Sequence, residues 1–392
     1  MLNTPHTNNS DPSTVADAAS AAGAAGAAGA TPSIDALRQH FSFLSLPKDV
    51  QKEQLERFKG ICALYGYEGF LRLQNAHVVV IGNGGVGSWI AESVCRTGVG
   101  TISLVDFDDI ELSNSNRQLH TLSSTLGRSK AQTLGARLQD INPYLKLQTY
   151  SIMLSKDNVQ DRLAHILCVP KEILQLSQEQ DLRALPNPSA LAALKLKQQD
   201  RDLYGQQADP SNESNSAAHW IAAQWAEQID PHLYVAEAID DLFAKASCID
   251  LLHRARVPVV TSGGAGGRID PSRVRLGDIA HAHGDQLIKR LRTELRRNYG
   301  YPKGPDDGTK GKSAASLAHG EDFKIMCSYS DEPPRMAKTH ATNGFTPEQL
   351  GLNTLGELPS LPNFGASMSV TASAGLLLAS VIIRWIVGDA KA

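Results

Sequence analysis

Paired cysteines are missing from this sequence. Its five cysteines stand at 62, 95, 168, 248 and 327, and no two are close enough to form CxxC. That spacing argues against a zinc knuckle, a thioredoxin-type motif and a disulfide scaffold, and it suits a reducing cytosol. Charge of one sign is missing as well. The formal net charge is −3 at pH 7, so the overall balance selects no partner and any nucleic-acid surface must be local. A clean membrane span is also absent. Val370 to Val387, "VTASAGLLLASVIIRWIV", is the long apolar run, but Thr371, Ser373, Gly375, Ser380 and Arg384 interrupt it, and it reads as a buried helix rather than a span of ~20 strongly apolar residues. Met1 to Thr31 has no Lys or Arg and no long apolar stretch. This Asn, Ser, Ala and Gly tail, with its "AASAAGAAGAAGA", is expected to be disordered and not a secretory leader.

What is present is an ordinary soluble composition. Hydrophobic residues make 42% and charged residues 20% of 392 positions, enough to bury a full core in one or two domains. From Ala76 the pattern alternates. "HVVVIG" predicts a strand and Val86 to Arg96 a helix. "TISLVD", ending at Asp106, predicts a second strand, Lys130 to Asn142 a helix, "LKLQTYSI" a third strand and Asp157 to Leu167 a helix. Strands alternating with helices predict an α/β fold with a mainly parallel sheet. The alternation stops over about 168–230 and resumes with the strand "LYVAEAID", a helix from Phe243 to Arg254 and the strand "VPVVTS". Residues 168–230 are read as an insertion in a surface connection, and about 337–362, rich in Pro, Gly, Asn and Thr, as a second. The expected organisation is a tail over 1–45 and one domain over 46–392.

The stretch "VVVIGNGGVGSWIAE" carries the chemistry. Gly82, Gly84, Gly85 and Gly87 form GxGGxG between a strand and a helix. Small residues there let backbone approach phosphate, and the helix N-terminus supplies N–H groups and a positive dipole end. Asp106 ends the second strand, where such folds place the acid that binds ribose hydroxyls. The turn alone does not separate an NAD site from an ATP site. The residues after it do: Asn114 and Arg117 in "VDFDDIELSNSNRQLH" and Lys130 in "GRSKA" are polyphosphate-handling groups. A nicotinamide enzyme expels no phosphate, whereas pyrophosphate departs when an acyl adenylate forms. Asp240, in "EAIDD", lies at a strand end facing the crevice and could hold Mg²⁺ against phosphates. Asp241 could take that place instead, and a helix N-cap before Phe243 is the competing reading.

Together, "GNGGVGSW", "VDFDDIELSNSNRQLH", "GRSKA", "AIDD" and "TSGGAGGRIDP" resemble the ThiF/MoeB superfamily of adenylating enzymes related to ubiquitin-activating enzymes, and within it the branch that dehydrates threonylcarbamoyladenosine in tRNA. The resemblance covers roughly 58–332 outside the first insertion, plus the C-terminal helix. It implies a Rossmann-like fold with helices on both faces of the sheet, extended by C-terminal strands and a helix. It implies that ATP activates the carboxylate of threonylcarbamoyladenosine at position 37, beside the anticodon, and that ring closure expels AMP. It implies ATP roles for the glycine turn, Asp106, Asn114, Arg117, Lys130 and Asp240, and a homodimer in which Arg57, in "ERFKG", enters the neighbour's site. It leaves room for a sulfur-transfer partner, a cysteine desulfurase system, and points to a cytoplasmic enzyme with no membrane. Glu237 stands where relatives usually have Asp, and "IDD" replaces their "IDS". The missing CxxC pairs, which carry structural zinc in many sulfur-carrier-activating members, favour the tRNA branch over an adenylyltransferase of a ubiquitin-like sulfur carrier.

For RNA, "KRLRTELRR" over 289–297 offers Arg292, Arg296 and Arg297, with Lys310 and Lys312 following, although a basic run is as readily a solvated helix face. Cys327 matches a cysteine of these dehydratases, and a buried structural thiol is its plainer reading. A NAD-dependent oxidoreductase and a non-catalytic binding module are the readings from other classes.

Overall fold

The computed structural model describes residues 33–169, 174, 230, 232–302, 321–335, 346, 348–356 and 360–389. The first expected insertion lies almost wholly outside the described residues, as do Lys310, Lys312 and part of the second insertion.

Seven strands form one sheet: β1 His77–Ile81, β2 Thr101–Val105, β3 Lys146–Tyr150, β4 Leu233–Glu237, β5 Val259–Ser262, β6 Val274–Asp278 and β7 Met326–Ser330. Their order is β3-β2-β1-β4-β5-β7-β6. All pairings are parallel except β6 with β7. The chain winds outward from β1 through β2 to β3, then resumes on β1's other side with β4 and β5. The order therefore reverses between β1 and β4, and the crevice outside their carboxyl ends is where such sheets bind ligands.

The apolar runs explain the burial. Successive side chains of β1 point to opposite faces, so Val79 and Ile81 join one core while Val78 and Val80 join the other. Helices α1 Ile34–His40, α2 Lys48–Arg57 and α3 Lys59–Asn75 precede the sheet, and α3 bends at Gly66, whose φ is +72°. The remaining helices are α4 Gly87–Arg96, α5 Lys130–Ile141, α6 Val159–Leu167, α7 Leu242–Arg254, α8 Gln286–Asn298 and α9 Met368–Val387. Helices α6, α7 and α8 cover the first core, and α4, α5 and α9 the second. A mainly parallel sheet layered on both sides is the expected fold.

Three expectations need comment. The tail does not extend to 45: α1 starts at Ile34, capped by Ser33, and Phe41 and Phe43 are buried, Phe43 against Phe58 and Phe70. Those rings supply the apolar area that the Ala/Gly stretch lacks. The C-terminal run forms α9, which is long and apolar enough to cross a membrane (mean hydropathy 1.9), yet 67% of its most apolar window is buried within the fold. It packs on α3 and α4, and at Gly375 a Cβ would lie 2.6 Å from the Val86 carbonyl oxygen. Its apolarity thus has a partner inside the fold. The helix ends otherwise fall within two residues of the sequence expectation.

Candidate nucleotide and substrate site

The glycine turn between β1 and α4 sits at the strand reversal. Gly82 has φ +85°, which a side chain strains against, and a Cβ there would lie 2.7 Å from the Ala238 carbonyl oxygen. Gly84 is open apart from Gln118, and no side chain caps α4 at Val86. The Ser88 and Trp89 N–H groups are taken by the Gly84 and Val86 carbonyls, so a phosphate would be met by the N–H groups of the glycine turn itself, at the positive end of α4.

Asp106, just past β2, clamps this turn. Its carboxylate accepts the Asn83 N–H at 2.6 Å and the Asp108 N–H at 2.9 Å. Burial raises its pKa above the ordinary value, and the two N–H donors and Lys130 pull against that rise. Two lone-pair sites remain for ribose hydroxyls.

Lys130 opens α5, with Ser129 as the N-cap. It is not a solvated surface lysine: it is only 6% exposed, and its Nζ lies 2.6 Å from Asp108 Oδ2. Arg117 lies across the turn: its Cγ and Cδ come within 3.1 and 3.3 Å of a Cβ built on Gly85. Its guanidinium donates to the Ser113 carbonyl at 3.1 Å and to Asn116 Oδ1 at 3.0 Å. Asn114 is buried, and its Oδ1 accepts the Glu111 N–H in a capping box that shapes the loop holding Arg117. Its carboxamide oxygen is engaged in that turn.

Asp240 is exposed just beyond the end of β4. The N-cap is Asp241, which accepts the Phe243 and Ala244 N–H groups, so Asp240 keeps its carboxylate for a ligand. Among the described residues no three His, Cys, Asp or Glu side chains gather to hold a metal. One carboxylate suits Mg²⁺, which keeps several waters and takes phosphate oxygens. Arg57 is not brought to this group. It donates to the Ile141 carbonyl at 2.8 Å and pairs with Glu53, at the far end of α5, roughly 16 Å from Lys130 at 1.5 Å rise per residue.

One expectation is corrected, and for Cys327 the plainer reading holds. Arg292 donates to the Ile279 and Ala282 carbonyls, and Arg296 donates to the Pro302 carbonyl and stacks over Phe323. Both are tied into the fold and do not face outward for RNA. Arg297 is exposed, as are Lys289 and Arg290; Arg290 and Arg297 share a face of α8 turned away from Arg292 and Arg296, while Lys289 lies on the side of those two. Cys327 lies on β7 with no exposed surface, and burial pushes its thiol well above the ordinary value, which makes it an inert core thiol.

Several residues escaped sequence reasoning. Lys245 and Glu237 have no exposed surface and pair at 2.5 Å, with Thr261 donating to the same carboxylate and Ile239 N–H donating to its other oxygen. The lysine within the apolar face of "FAKASC" was the available signal. Among the described residues, buried Asn83 has no hydrogen-bond partner for either carboxamide atom, and buried His120 has none for either ring nitrogen. Burial and then Lys130 hold the His120 pKa down at about 4.

The ThiF family matches residues 59–176. Over 84% of its length the chain is 27% identical to 92% of the tRNA threonylcarbamoyladenosine dehydratase of Escherichia coli K12, and 28% identical to 92% of the enzyme of that name from Haemophilus influenzae. The crystal structure of the E. coli tRNA N6-threonylcarbamoyladenosine dehydratase, TcdA, in complex with ATP superposes with a TM-score of 0.55 at 26% identity, covering 86% of this chain and 96% of that one.

Proposed function

For a chain that carries a ThiF domain and is similar to tRNA threonylcarbamoyladenosine dehydratases along most of its length, we propose the same reaction: ATP-dependent cyclising dehydration of threonylcarbamoyladenosine at position 37 of tRNA. The observation that carries it is the gathering of the glycine turn, Asp106, Arg117 and Lys130 at the carboxyl end of β1.

The threonyl carboxylate attacks the α-phosphorus of ATP, a P–O bond forms and pyrophosphate leaves. A ureido nitrogen of the same side chain then attacks the acyl carbon, the C–O bond to AMP breaks and the nitrogen's proton goes to solvent. The sum is loss of one water from the nucleoside, with ATP converted to AMP and pyrophosphate. Hydroxide is a poor leaving group and AMP a good one, and the second step is intramolecular. Asp106 orients the ribose, while the turn amides, Arg117 and Lys130 offset charge on the phosphates as pyrophosphate departs. Asp240 would hold Mg²⁺, whose charge would assist the same departure. Lys130 leaves Asp108 for phosphate, and Asp108, half in water, tolerates that loss.

The enzyme is read as a homodimer working in the cytoplasm, where Arg57 completes the partner's site. Its own chain supports this reading because Arg57 sits far from its own Lys130. The test is purified protein with ATP, Mg²⁺ and threonylcarbamoyladenosine-containing tRNA, analysed by nucleoside mass spectrometry. AMP, pyrophosphate and a nucleoside lighter by one water are expected. Conversion of ATP to ADP, or an unchanged nucleoside, overturns the reading. Pyrophosphate exchange that requires a sulfur-carrier protein and ignores tRNA would assign the site to carrier activation instead.

A further inference from the structure

The crevice has a second wall on the β5 side. After Ser262 the chain runs through Gly263 to Gly267, and a strap formed by residues 360–367 crosses it. Gly267, with φ +75°, donates its N–H to the Gly365 carbonyl at 2.7 Å and accepts the Arg335 N–H at 2.7 Å. Phe364 packs against this bare backbone. A Cβ on Gly266 would come 3.3 Å from Phe364 Cβ, and one on Gly267 would come 3.0 Å from Phe364 Cδ1. The two glycines thus make room for the ring on one side while 44% of the residue stays exposed.

The strap leads to the phosphate end of the site. Two residues beyond Phe364, the Ala366 carbonyl accepts Asn116 Nδ2 at 2.8 Å. The Oδ1 of that same Asn116 accepts the Arg117 guanidinium, and Arg117 covers Gly85. Thr371, on the helix the strap leads into, is 3.4 Å from the same Gly85 position. The exposed ring is therefore connected to the place where the α-phosphate would sit by a short chain of direct contacts. Beside it, Arg335 exposes most of its side chain.

We propose that Phe364 is the stacking platform for the nucleobase of the substrate, a purine extruded from the anticodon loop, with the strap setting its distance from the adenylating centre. The inference rests on the tRNA reading above. Single-stranded RNA bases are recognised by stacking on aromatic faces with arginine at the backbone, and a ring backed by glycine loses little freedom on binding. A peptide offers such a face only where it carries an aromatic side chain, whereas every nucleobase has one.

The test is a pair of variants measured with threonylcarbamoyladenosine-containing tRNA. Phe364→Leu keeps the packing on Gly266 and Gly267 but removes the π face; Phe364→Tyr keeps both. We expect Phe364→Leu to raise KM for tRNA by about 10- to 100-fold, the scale of one lost stack, with KM for ATP within about twofold of wild type, and Phe364→Tyr to restore tRNA KM. Unchanged tRNA KM in Phe364→Leu overturns the proposal. So does equal damage by both variants, or a parallel rise in KM for ATP, since each assigns the ring to packing. A defect confined to activation of a sulfur-carrier protein assigns the strap to a peptide and overturns it too. Wild-type protein that neither binds nor dehydrates this tRNA removes the functional reading itself, a separate result.

Discussion

The position a Cβ would take on Gly82 lies 2.7 Å from the carbonyl oxygen of Ala238. The phosphate turn and the loop carrying Asp240 are thereby packed backbone to backbone across the point where strand order reverses. Ala238 N–H donates to the Ile81 carbonyl at 2.7 Å, and Glu237, anchored by buried Lys245, accepts the Ile239 N–H. The two halves of the site are one mechanical unit.

Gly82→Ala therefore meets both a positive φ and a backbone clash. We expect a loss of about 2 kcal/mol or more of unfolding free energy, read from urea midpoints, and ATP binding weakened beyond what stability accounts for. Wild-type ATP affinity in a folded Gly82→Ala protein would show that the close approach does not set the turn.

Arg117→Ala and Lys130→Ala are each expected to lower turnover by roughly two to three orders of magnitude, the scale of one lost transition-state charge contact. The fold should survive, because Asp108, the partner of Lys130, is about half exposed and is not stranded in the core. Steady-state kinetics beside circular dichroism decides this. Near-native turnover in either variant removes that residue from the site.

His120 gives stability a pH dependence. Its folded pKa is about 4, below the ordinary 6.5, so the unfolded chain binds the proton more readily. The stability held at pH 7 is lost as pH falls through 6.5 towards 4 and levels off below that. At pH 5 the loss amounts to about 2 kcal/mol. His120→Gln should lack this component, so its urea midpoint should drop less than that of wild type between pH 7.5 and pH 5. Parallel drops would mean that the imidazole finds a proton acceptor when charged.

The sheet, the turn and the charged trio of Asp106, Arg117 and Lys130 were legible because each rests on local sequence. An apolar strand, a run of glycines and a cation at a helix start are visible without contacts. Arg292 and Arg296 differ from the sequence reading because sequence gives their charge and their place on the helix but not the Ile279, Ala282 and Pro302 carbonyls that meet them. The Glu237–Lys245 pair and the Asn116–Ala366 contact, 250 positions apart, depend on tertiary placement. Asp240 and Asp241 are adjacent and chemically alike, so only geometry could assign the cap.

Cys327 should be silent chemically. Cys168 is exposed and Cys62 partly so, while Cys95, Cys248 and Cys327 are buried. A thiol reagent should modify Cys168 first and leave Cys327 untouched until unfolding, and Cys327→Ala should retain turnover at some cost in thermal stability. Rapid labelling of Cys327 in the native protein, with loss of activity, would restore it as a functional thiol.

Arg57 provides the sharpest test of assembly. Within its own chain it holds the C-terminal end of α5 through the Ile141 carbonyl and pairs with Glu53, a partly exposed contact of small energetic value. Such an arginine can be redirected at little cost. If two-fold symmetry carries it into the neighbour's site, each site is built from two chains. Arg57→Ala and Lys130→Ala homodimers are then both nearly inactive. Mixing them under conditions of subunit exchange generates heterodimers in which one site retains both Arg57 and Lys130. At random reassortment half the dimers are mixed, each with one good site, so about a quarter of wild-type activity should return. Confirmed exchange between two inactive parents with no recovery would mean that Arg57 serves only its own chain.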